Sequence, residues 1–311
     1  MPIVIPSTIP AYKTLADANM FVMSEKRAAS QDIRPLEIAI LNLMPTTTVT
    51  ETQLMRLLCN TPLQVHITLV TMATYTKKNT EKAHMDRHYV TFSDIKNRRF
   101  DGMIVTGAPV EKMKYEEVAY WEELKEIFAF AETNVTSTIF VCWGAQAAMY
   151  HYYGIKKRKL KMKRSGVFWN KKHSETEWLL KGTDDYIFIP HSRHTAVEER
   201  FVYKNKEVEV LASGPHCGIS IAKSKDNKKI FMFGHSEYDR ETLAQEYARD
   251  VKAGVKLNKP LNYFLYGEPV DPKELEKNPS LVNFSWAGTA NLMYYNWLNY
   301  YVYQVTPYEN V

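Results

Sequence analysis

Apolar residues along this chain come in short bursts, separated by polar segments marked with proline or glycine. Leu36 to Leu43 (LEIAILNL) reads as a buried strand. It stops at Met44-Pro45, because proline cannot donate to a sheet ladder. Thr50 is placed to cap a following helix, with Leu54, Leu57 and Leu58 at helical spacing. Gln64 to Met72 and Phe100 to Gly107 read as further strands, while residues 73–99 are too polar to assign. A helix is expected over Glu116–Glu132, with Val118, Trp121, Leu124, Ile127 and Phe128 on its apolar face. Ser137 to Val141 is a fourth strand. It runs directly into Cys142-Trp143-Gly144 and a helix of small residues, Ala145-Gln146-Ala147-Ala148. Strands alternating with helices in this way predict an α/β fold, a mostly parallel sheet with helices on both faces.

The second half carries shorter strands: Tyr186 to Pro190, Val208 to Ala212, Gly218 to Ala222 and Lys229 to Phe233. Asp239 can cap a helix running to about Lys252, and Gly254 can end it. The aromatic tail (NLMYYNWLNYYVYQ) is expected to pack as a terminal helix. Residues 1–35 read as an irregular N-terminal extension and residues 36–311 as a single domain.

Composition narrows the class. Of 311 residues, 45% are hydrophobic and 24% charged, which excludes a disordered chain. No apolar run approaches the ~20 residues needed to span a bilayer, and the first residues do not form a signal peptide. Cys59, Cys142 and Cys217 lack metal-type spacing and cannot build a disulfide framework, so a cytoplasmic location is expected. A formal charge of +5 permits an anionic small-molecule substrate but argues little for nucleic acid. The basic run at 156–164 reads as a solvated face, as a surface for an anionic partner, or as a site for cofactor phosphates.

Cys142 is the most informative residue. A cysteine between an apolar strand and a helix, with Gly144 two positions on, sits on a turn that exposes a nucleophile. The helix N-terminus favours thiolate, and nearby amides can receive an oxyanion. Cys59 and Cys217 read as structural. His235 and Glu237 follow a buried strand two residues apart, so both point one way and can supply a base and its orienting carboxylate. His84 and His88, four apart with Asp86 between, or His191 and His194, three apart, could be imagined as metal-ligand pairs. Each group lacks a clear third ligand nearby, and no metal is expected.

This pattern resembles the class I glutamine amidotransferase-like (flavodoxin-like) proteins and, within them, the homoserine O-acyltransferases of methionine biosynthesis. The markers run through nearly the whole chain: Ala39-Ile40-Leu41-Asn42-Leu43-Met44-Pro45, Thr50-Glu51, Arg56-Leu57-Leu58, Thr106-Gly107-Ala108-Pro109, Cys142-Trp143-Gly144-Ala145-Gln146-Ala147, Gly234-His235-Ser236-Glu237-Tyr238 and Asn296-Trp297-Leu298-Asn299-Tyr300-Tyr301. The resemblance implies ping-pong acyl transfer. Cys142 takes the acyl group from acyl-CoA, His235 acts as base, and Glu237 holds the imidazole. It puts substrate-binding positions at Lys163, Ser192 and Arg249, suggests a homodimer, and implies no resident cofactor, with acetyl-CoA and L-homoserine as substrates.

In the same family a Gly at the Glu111 position goes with succinyl transfer and a Glu with acetyl transfer. Two like charges ~4 Å apart at an effective dielectric of ~20 repel by about 4 kcal/mol, so a Glu there would turn away succinyl-CoA. The expected activity is therefore homoserine O-acetyltransferase. Homoserine O-succinyltransferase, serine O-acetyltransferase and glutaminase are the alternatives within enzymes, and an anionic-partner binding module is the alternative outside them. The chain departs from the family pattern at Thr46-Thr47-Thr48, where relatives often carry Lys, and at Trp286-Ala287-Gly288-Thr289.

Overall fold

A computed structural model describes residues 3–18, 20, 22–28, 34–74 and 81–306. Among them, twelve strands form one sheet: β1 (Ile3–Val4), β2 (Val22–Met23), β3 (Leu36–Leu41), β4 (Val65–Thr71), β5 (Tyr89–Thr91), β6 (Phe100–Val105), β7 (Val135–Val141), β8 (Lys157–Lys172), β9 (Tyr186–Val197), β10 (Val208–Gly214), β11 (Gly218–Ser224) and β12 (Lys229–Met232). The order across the sheet is β2-β1-β4-β3-β6-β7-β12-β11-β10-β8-β9, with β5 beside β4. From β2 to β12 all neighbours are parallel. From β12 onward the pairing is antiparallel.

The central order β4-β3-β6-β7-β12 is the 2-1-3-4-5 winding of doubly wound sheets, which bind ligands beyond the carboxyl edge where the winding reverses. Here that point lies between β3 and β6, ahead of Met44-Pro45 and Gly107. Strand alternation divides the core. Ile38, Ile40, Ile104 and Ile139 face the helix Thr47–Leu58 and the C-terminal helices. Ala39, Leu41, Met103, Val105 and Phe140 face the helices Trp121–Asn134 and Trp143–Tyr153. Both faces are covered, which explains the continuous apolar runs.

Several expectations shift. The lead-in supplies two edge strands and the helix Pro10–Asp17, because Ile3 and Val4 pair with β4. The helix after β3 starts at Thr47, not beyond Thr50. The Asn42 side chain braces the turn, accepting from the Met44 N–H at 3.1 Å and donating to the Thr47 carbonyl at 3.2 Å. Residues Tyr115–Glu117 form a separate 3₁₀ turn before the helix Trp121–Asn134. The later helix is Thr242–Lys252, starting after Asp239, whose carboxylate instead accepts from Arg56 and Gln53 of the helix Thr47–Leu58. Gly254, at φ +69°, follows it in the left-handed conformation.

The tail forms the helix Ala287–Asn296 and a wider π-helical segment, Trp297–Tyr303. Trp297 is fully buried, and its indole N–H donates to Ser137 Oγ of β7 at 3.0 Å. Trp297→Ala should therefore cost about 3–5 kcal/mol, read as a fall in the urea midpoint at constant slope. A loss below about 1 kcal/mol would mean that the tail is not part of the core.

Candidate active site

Cys142 directly follows β7 and precedes the helix Trp143–Tyr153. Its backbone sits at φ 49°, ψ −111°, outside the regions comfortable for a side chain. Such strain, about 1–3 kcal/mol, persists only where the surroundings impose it. The Cys142 N–H donates to the Met232 carbonyl of β12 at 2.7 Å. At Gly144 an added Cβ would lie 2.6 Å from the Thr106 carbonyl, so only glycine lets the helix begin this close to β6. The first-turn amides of Trp143 and Gly144 have no acceptor within their own helix, which suits them to developing negative charge.

His235 follows β12. Its N–H donates to the Pro190 carbonyl at 2.8 Å, and Nδ1 lies 2.7 Å from Glu237 Oε1. The imidazole also hydrogen-bonds Cys142. Burial alone would lower the His235 pKa. The charges of Cys142 and Glu237 and their hydrogen bonds outweigh it and raise the pKa well above the ordinary value. Tyr238 stacks on the imidazole with centroids 4.2 Å apart, and the buried Trp286 donates to the Tyr238 carbonyl at 3.0 Å. That is the structural role of the unusual Trp286.

These groups open into a cleft of about 490 Å³ that also contains Glu111, Lys163, Ser192 and Arg249. The structure thus brings all seven sequence-derived residues to one cavity, at the sheet edge where the winding reverses. Thr46 lines it as well, as the cap residue of the next helix. The other two cysteines lie in the interior. Burial pushes the Cys59 thiol up to about 11, and burial also raises Cys217, which contacts Asn170 Oδ1 at 3.0 Å.

Two residues missed by sequence reasoning reshape the pocket. Lys163 Nζ, on a side chain only 4% exposed, lies 2.6 Å from Asp250 Oδ2 and 3.7 Å from Glu246 Oε2. Ser192 donates to Glu246. Arg249 donates to Asp250 Oδ1 through Nε at 3.0 Å and Nη2 at 2.8 Å, yet its side chain remains 62% exposed. Burial would raise the Asp250 pKa, but the Lys163 and Arg249 bonds hold it below the ordinary range. Glu246, Arg249 and Asp250 sit at helical spacing on Thr242–Lys252, the signal that could have found them.

Glu111 is fixed from across the fold. One of its oxygens accepts from the His194 N–H at 2.8 Å, the Thr195 N–H at 3.1 Å and the Thr195 hydroxyl at 3.0 Å. Two of the histidines considered as metal ligands, His84 and His191, have other partners. His84 Nε2 meets Glu51 Oε1 at 2.9 Å, and the buried His191 Nε2 meets Ser220 Oγ at 2.9 Å. No helix among the described residues is long and apolar enough to cross a membrane.

A doubly wound sheet with a cysteine turn at its carboxyl edge is the glutamine amidotransferase-like fold. Solved structures agree: a glutamine amidotransferase from Thermotoga maritima matches with a TM-score of 0.51 at 10% identity, covering 85% of this chain and 97% of its own. One from Methylobacillus flagellatus matches with a TM-score of 0.51 at 13% identity, covering 86% and 95%. The chain belongs to the homoserine O-succinyltransferase family, whose model matches residues 2–308. Its relatives include proteins named homoserine O-acetyltransferase. The one from Lachnoclostridium phytofermentans is 52% identical over 99% of this chain and all of its own, and the one from Acetivibrio thermocellus is 50% identical over 99% and 98%.

Proposed function

We propose that the protein transfers an acetyl group from acetyl-CoA to the side-chain hydroxyl of L-homoserine, a step in methionine biosynthesis. The observation that carries this reading is the shared cleft: Glu111 is presented in the same cavity as Cys142. The Cys142 sulfur attacks the thioester carbonyl, the first-turn amides stabilise the oxyanion, and CoA leaves as its thiol with the proton from His235. Acylation removes the negative charge on sulfur that raises the His235 pKa. The imidazole then becomes a neutral base, able to take the proton from the homoserine hydroxyl as its oxygen attacks the thioester. Glu237 keeps the ring oriented throughout.

The amino-acid pocket supports the acceptor. Exposed Arg249 can grip a carboxylate, and Glu246 can receive an ammonium. Lys163 and Ser192, already engaged with Asp250 and Glu246, would act by holding those acids in place. The chemistry calls for no resident cofactor.

Intact mass after mixing with acetyl-CoA, without acceptor, tests the reading. One acetyl should appear on Cys142 and leave on adding homoserine but not serine. A succinyl adduct formed in preference from succinyl-CoA would keep the mechanism and overturn the donor. No adduct from either donor would overturn acyl transfer.

A further inference from the structure

The basic run at 156–164 is not one surface. It is the start of β8, and strand alternation divides it. Arg158 joins Arg164 in one surface cavity, while Lys157 and Lys159 point to the other face and, with Lys156, line a different one. Beyond the irregularity between Lys159 and Arg164, Lys163 enters the reaction cleft.

The second of these cavities, about 450 Å³, shares the wall Glu111-Lys112-Met113 with the reaction cleft. Lys112, Lys114, Lys156, Lys157 and Lys159 line it against two carboxylates, Glu111 and Glu116. Both carboxylates are already occupied, Glu111 by β9 and Glu116 by the Tyr150 hydroxyl. Lys157 Nζ is buried and has no hydrogen-bond partner among the described residues. It stands 4.2 Å over the Tyr115 ring, whose hydroxyl is also buried without a partner. Burial pulls the Lys157 pKa down to about 8 against the opposing pull of Glu111 and Glu116. An ammonium left in this state lacks an anion.

We infer that this lysine cavity binds the phosphates of the acyl-CoA donor, with the pantetheine arm crossing the Glu111–Met113 wall to reach Cys142. The inference rests on the acyltransferase reading for its ligand, but the anion site stands on its own geometry. Phosphate oxygens would pair with Lys157 Nζ and the exposed lysines around it, charge-assisted bonds that a truncated thioester cannot make.

The test compares acetyl-CoA with S-acetylpantetheine, which carries the same thioester and arm without the phosphates, in wild type, Lys157→Gln and the triple variant Lys156→Gln, Lys157→Gln, Lys159→Gln. The ratio of kcat/KM for acetyl-CoA to that for acetylpantetheine should fall about 10-fold in Lys157→Gln and further in the triple variant. Equal effects on both donors, or none, would overturn the inference. Calorimetry with adenosine 3′,5′-bisphosphate reads the site without turnover. Binding in wild type that weakens in Lys157→Gln supports an anion site even if neither donor acylates the protein, and no binding in wild type overturns it. Losing an unpartnered buried ammonium should not impair folding, so a thermal melt no lower than that of wild type is expected.

Discussion

Cys142→Ala and His235→Ala should each lower acetyl transfer by about 10⁶-fold, and Glu237→Gln by about 10⁴-fold. The double variant of Cys142 and His235 should be no worse than either single one, because the two act as one unit. The imidazole should also respond. Without the Cys142 sulfur, the largest influence raising the His235 pKa is gone while burial remains, so its titration, followed by NMR, should move down. Stability should move the other way. Cys142→Gly removes the proposed nucleophile but accepts φ 49°, ψ −111° with less strain, so it should be inactive and at least as stable as Cys142→Ala. Retained turnover in Cys142→Ala would remove Cys142 from the mechanism. A Cys142→Gly variant less stable than Cys142→Ala would mean that the turn is not strained.

Glu111 is expected to set the donor, and its anchoring allows charge and space to be separated. Glu111→Gln keeps an oxygen able to accept the His194 and Thr195 N–H groups but removes the charge. Loss of about 4 kcal/mol of repulsion should raise kcat/KM for succinyl-CoA relative to acetyl-CoA by up to about 10³-fold. Glu111→Gly also frees volume and releases the loop from β9, so it should gain succinyl transfer while weakening acetyl transfer. If Glu111→Gln leaves the preference unchanged and Glu111→Gly reverses it, space rather than charge decides. If neither variant gains succinyl transfer, other residues choose the donor.

The central parallel strands β3, β4, β6, β7 and β12 were legible because both of their faces are buried, whereas the short outer strands β1, β2 and β5 were not. Continuous apolar runs such as Leu36–Leu41 and Val135–Val141 carry that signal locally. The same holds for the placement of Cys142, His235 and Glu237, whose strand-end positions follow from a few adjacent residues. β8 was illegible for the opposite reason. Its first half is lysine and arginine on a partly exposed antiparallel strand, and only pairing with β9 makes it a strand.

The sequence by itself determined the central parallel strands and the turn that carries Cys142, because each is written in contiguous residues; the expected acyl chemistry came from the family resemblance. Tertiary structure alone decided that Glu111 is held by Thr195, that Lys163 and Arg249 share Asp250, and that the basic run splits into two faces. Thr195 lies 84 positions from Glu111 and Lys163 87 from Asp250, and a charged side chain carries no local mark of the partner that will neutralise it.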